Sequence, residues 1–78
     1  MIPMYGFLEG DTLGLLVLAQ PEDTAAVLCA KLQSAASVRV APLGGTAVVY
    51  KGKLLDPDVT VQDAKMGPLE RFDVVARR

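Results

Sequence analysis

Seventy-eight residues allow one domain of modest stability, because a chain this short buries only roughly 60–65% of the surface it exposes when unfolded. Apolar residues make up 51% and charged residues 22%, a balance that excludes a disordered chain and implies a folded core. Eight basic against nine acidic residues leave a net charge of -1, so there is no long-range field to draw nucleic acid or an anionic membrane, and neither is expected as a partner.

The N-terminus Met1-Ile2-Pro3-Met4 carries no basic export signal, and the longest apolar run, Leu13 to Ala19, is far below the length that spans a bilayer. Cys29 has no second cysteine to pair with, which fits a reducing compartment, and the expected localisation is cytoplasmic. Ile2 to Phe7 reads as a strand, Leu8-Glu9-Gly10-Asp11 as a hairpin loop, and Thr12 to Ala19 as the returning arm. Along that arm Leu13, Leu15 and Val17 share one face and Gly14, Leu16 and Leu18 the other, so both faces are mostly apolar. Pro21 ends the arm, and Asp23 or Thr24 is placed to cap a helix that runs to about Ala36. Ala25, Leu28, Cys29, Leu32 and Ala36 recur at three- and four-residue spacing and form its inward stripe.

Ser37 to Val40 reads as a short extended stretch stopped by Pro42, and Gly44-Gly45 precedes the β-branched strand Thr46 to Tyr50. Lys51-Gly52 makes a tight turn into Lys53-Leu54-Leu55. Val59 to Ala64 reads as a strand end entering one helical turn, and Gly67-Pro68 breaks it before a last strand, Arg71 to Ala76. Two strands, a helix and further strands with short turns predict an α+β fold, a β-grasp in which a four- to five-stranded mixed sheet packs on one α-helix, as a single domain over residues 1–78.

Catalytic chemistry finds little support in these residues. Histidine is absent, which removes the commonest general base and metal ligand, and no acidic group has the spacing of a metal loop. Cys29 lies on the apolar stripe without an activating neighbour and reads as a core residue; Gly44-Gly45 lacks the lysine and hydroxyl of a phosphate loop. No catalytic residue, cofactor, metal or small-molecule substrate is therefore expected. Binding is better supported. If Leu13, Leu15 and Val17 face the helix, then Leu16 and Leu18 lie on the opposite side of the sheet with Val49 and Val75, and Leu8 in the hairpin loop sits beside them. Burying ~300 Å² of such surface at about 25 cal/mol per Å² yields roughly 7 kcal/mol before association costs, so these five residues are the candidate protein-interaction site.

Gly10-Asp11-Thr12-Leu13, Pro21-Glu22-Asp23-Thr24, Tyr50-Lys51-Gly52-Lys53-Leu54-Leu55, Thr60-Val61-Gln62-Asp63 and Phe72-Asp73-Val74-Val75 fall in the order and spacing of ubiquitin's hairpin, helix start, third strand, late turn and last strand. The chain resembles more closely one ubiquitin-like family, the toluene-4-monooxygenase system protein B family. That likeness is carried by Glu9-Gly10-Asp11, Leu13 to Val17, Arg39-Val40-Ala41-Pro42, Asp58-Val59-Thr60-Val61 and Phe72 to Val75. The resemblance implies a non-catalytic accessory subunit that docks on the larger hydroxylase subunit of a diiron monooxygenase, where the metal and active site belong to that larger subunit. The alternative is a free-standing ubiquitin-like module or modifier. Modifiers need an exposed Gly-Gly end, and the sequence given ends Arg77-Arg78, which disfavours that role.

Overall fold

Period-two apolar patterning gives two antiparallel strands, β1 (Ile2–Leu8) and β2 (Gly14–Ala19), with Met4 opposite Val17 and Tyr5 opposite Leu16. The computed structural model describes residues 1–10, 14–36 and 45–76. The expected features at 11–13, 37–44 and 77–78, among them Leu13 on the inner face and the stretch stopped by Pro42, lie outside the described residues. Gly10 begins the hairpin connection at φ 90, a conformation that suits glycine.

Helix α1 (Ala25–Ala36) starts where Thr24 accepts a 3.3 Å hydrogen bond from the Val27 N–H through its Oγ1. Its buried residues are Ala25, Leu28, Cys29, Leu32 and Ala36, the stripe that the spacing predicts. They lie against the inner face of the sheet, where Met4, Val17, Phe72, Val74 and Val48 are buried. Each large side chain withdrawn from water there contributes roughly 1.5–3 kcal/mol.

Strands β3 (Thr46–Tyr50), β4 (Lys53–Leu54) and β5 (Arg71–Ala76) complete a sheet of order β2-β1-β5-β3-β4. Strands β1 and β5 are parallel and the other neighbours antiparallel, so the fold is a mixed-sheet β-grasp of the α+β class. Between β4 and β5, Thr60 bridges to Thr24, and a single helical turn follows in which the Ala64 N–H bonds to the Thr60 carbonyl at 3.0 Å. Val61 and Met66 point inward from this segment and close one end of the core. Among the described residues no helix is long and apolar enough to cross a membrane.

Candidate docking surface

The sheet's outer face, turned away from α1, follows from register. Gly6 opposite Phe72 and Leu8 opposite Val74 are inner positions, so Tyr5 opposite Arg71 and Phe7 opposite Asp73 are outer ones. Pairing of Val49 with Asp73 and Leu54, and of Val75 with Ala47, carries the same face across β5, β3 and β4.

Four of the five candidate residues lie on this face. Leu16 and Leu18 are 57% and 48% exposed on β2, and Val49 and Val75 are half-buried on β3 and β5. Leu8 does not. It is the last residue of β1 rather than a loop residue, pairs with Val74 and is only 2% exposed in the core. The strand runs one residue further than its sequence indicates, held by a 2.8 Å bond from the Glu9 N–H to the Val74 carbonyl, and parity turns Leu8 inward.

The four outward residues do not form one patch: Leu16 and Leu18 lie on β2, Val49 on β3, and Val75 on the intervening β5. Leu16 and Leu18 adjoin Pro3 and Tyr5 through the β1–β2 register, and Val49 adjoins Leu54, itself 60% exposed. Between the β2 and β3 positions, the Arg71 guanidinium carbon lies 3.9 Å from the centre of the Phe7 ring, and its Nε donates to Asp73 Oδ1 at 2.9 Å. The far end of the Phe7 ring in turn lies against Gly14, where an added Cβ would come within 2.6 Å of it. Sequence reasoning missed Tyr5, Phe7 and Leu54; alternation through β1 outward from the buried Met4 is the signal that reveals the first two.

At the rim, the Tyr50 hydroxyl and the Gly67 N–H both donate to Glu70 Oε1 at 2.5 Å, and the Lys51 ammonium stands 3.5 Å from Oε2. These donors hold the Glu70 carboxyl below its ordinary range, the Tyr50 bond contributing most. Burial and then the adjacent carboxylate push the Tyr50 phenol up, and Glu70 raises Lys51. Glu70, which sequence alone presents as solvated surface, thus ties the turn before β5 to the end of β3. At the opposite end of β2, the Lys31 ammonium donates to Asp23 Oδ2 at 2.6 Å and to the Leu18 carbonyl at 2.9 Å. Burial raises the Asp23 carboxyl, but bonds from Lys31 and the Gln20 N–H outweigh it and leave the group lowered.

Among the described residues no three carboxylates or thiols converge as a metal centre requires, so these side chains do not fit a diiron site. The Cys29 thiol is buried and unpaired beside a cleft of about 120 Å³ between α1 and β3, small against the ~300–1,000 Å³ of typical ligand pockets.

The model of the toluene-4-monooxygenase system protein B (TmoB) family matches residues 1–75. A chain in the structure of the toluene 4-monooxygenase HD complex with the inhibitor 4-bromobenzoate superposes with a TM-score of 0.89 at 28% identity, over 97% of this chain and 98% of that one. Caldiarchaeum subterraneum ubiquitin superposes at 0.78 with 18% identity, over 99% and 94% of the two chains. A chain from the crystal structure of ATBAG1 in complex with HSP70 gives 0.79 at 12% identity, over 97% of this chain and 40% of its own. The last two likenesses show the shared fold alone. No curated protein matches. The family match runs through nearly the whole chain, and the chain therefore belongs to the toluene-4-monooxygenase system protein B (TmoB) family.

Proposed function

We propose that this protein is a non-catalytic accessory subunit of a multicomponent diiron monooxygenase, bound to the larger hydroxylase subunit through the outer face of its sheet. The observation that carries the reading is the match to the protein B family over residues 1–75, with an end-to-end superposition on a chain of a toluene 4-monooxygenase complex. The residues support it from a second direction. Leu16, Leu18, Val49 and Val75 point away from α1, an arrangement a free monomer normally replaces with polar side chains.

In this reading the metal and the substrate pocket reside in the partner, and the present chain contributes shape and stability. A reducing cytoplasm is the compartment that suits its buried free thiol. Likeness to ubiquitin at 18% identity supplies a fold and no argument for a modifier. The test is co-expression with a large subunit encoded nearby that carries paired Glu-x-x-His motifs. Co-elution of the two chains in one complex is the expected result, and independent elution at micromolar concentration sinks the reading.

A further inference from the structure

We infer that the free edge of β2 accepts an extended, uncharged segment of the larger subunit as an additional strand, a step that rests on the subunit reading above. Among the described residues the sheet has two edges, β2 and β4. They differ in their defences. Edge β4 is two residues long, carries Lys53 and is followed closely by Asp56-Pro57, all features that discourage strand pairing. Edge β2 is six residues, Gly-Leu-Leu-Val-Leu-Ala, with no charge and no proline.

Backbone direction along β2 is fixed by Lys31. Its ammonium reaches the Leu18 carbonyl at 2.9 Å, so that carbonyl points away from β1. A strand repeats every second residue, which puts the Leu16 N–H and C=O on the same open side, while those of Leu15 and Val17 pair with β1. Leu16 and Leu18 stand beside this edge on the outer face, and Ala30, Ser34 and Ala35 of α1 line a groove on its other side.

Charge and extent choose the occupant. The only charged side chain within α1 is Lys31, which Asp23 already neutralises at 2.6 Å, so the whole margin matches a segment without charge. Alternation in the incoming strand would set apolar residues over Leu16 and Leu18 and small ones over Ala30 and Ala35. Pairing of β2 with β2 of a second copy would engage a strand of only six residues on each, far fewer than the ~20–30 residues a side of a stable pair. A larger subunit that also reaches Tyr5 and Pro3 makes up the difference.

The test is residue-resolved amide exchange on this protein, free and in the complex co-purified with the large subunit. Exchange of the Leu16 amide is expected to slow by at least about tenfold in the complex. Leu16→Pro deletes that donor at an edge where proline is tolerated, and should weaken capture by at least about tenfold, more than Leu16→Ala, which keeps it. Should Leu16→Pro fail to fold, the exchange measurement decides alone. A complex that forms with Leu16 exchange unchanged overturns strand addition and leaves the subunit reading standing, whereas absence of any complex overturns both. Protection of Leu16 in a dimer of the isolated protein assigns the edge to a second copy and overturns the heterologous occupant.

Discussion

Glu70 is where a single side chain controls the most. Its carboxylate receives the Tyr50 hydroxyl and the Gly67 N–H on one oxygen, and both bonds favour the charged form. In the unfolded chain the group returns to its ordinary value of about 4.5, so the folded state binds the proton less readily. Its contribution to stability is therefore complete above that value and is lost as pH falls through the lower folded one; Asp23, also lowered, acts in the same direction. The urea midpoint should fall as pH drops below about 5, and Glu70→Gln should start lower and fall less steeply. A Gln variant with the parent's profile would show that other carboxylates set the acid limb. Gly6 offers a steric counterpart. A Cβ there would meet Phe72 Cζ at 2.8 Å and the Leu32 methyls at 3.0 and 3.1 Å, so Gly6→Ala should cost about 2 kcal/mol, read from chemical denaturation. Neither role is legible in the sequence, because each depends on chain segments far apart along it that meet only in the fold.

Elements are legible to the degree that their periodicity is long. Helix α1 repeats its apolar stripe over three turns, which fixes its buried face before any coordinates are known, and Thr24 supplies the start signal. Removing that cap by Thr24→Ala should cost about 1 kcal/mol, measured as a lower thermal midpoint with helix content retained below it. An unchanged midpoint would mean that the isolated bridge to Thr60 holds the helix start without the hydroxyl. Strand ends behave differently. Leu8-Glu9-Gly10 carries turn residues, yet Leu8 is still in the ladder, and in a period of two one extra residue exchanges solvent for core. That is why the sequence pattern puts Leu8 at the surface, while it puts Leu16 and Leu18, set by an unbroken apolar run, on the correct side. Met66 and Val61 escape sequence reasoning for a related reason, since an irregular segment has no period from which to read an inward face.

At the scale of the whole molecule the outer face has a polar centre and two apolar margins, and a partner that spans it must accommodate Arg71, which lies over Phe7 and pairs with Asp73. An exposed ion pair of this kind contributes little to stability alone, the median being about 0–1 kcal/mol, so its larger effect is to set what chemistry can sit above it. The two margins can be separated by experiment. Val49→Asp introduces a carboxylate beside Asp73, and Leu18→Asp introduces one on the β2 margin beside Pro3. Both positions face outward, so each variant should retain the parent's circular dichroism and lose no more than about 1 kcal/mol of stability. If the larger subunit covers the entire face, each should weaken its capture by at least about tenfold, because an unpaired charge would be buried in either contact. Loss from Leu18→Asp alone confines the contact to the β2 side, where strand addition needs it. Loss from Val49→Asp alone moves the contact to β3 and β4 and leaves the β2 edge without an occupant. Unfolding of Val49→Asp would instead place that side chain in the core and overturn the register on which the outer face depends.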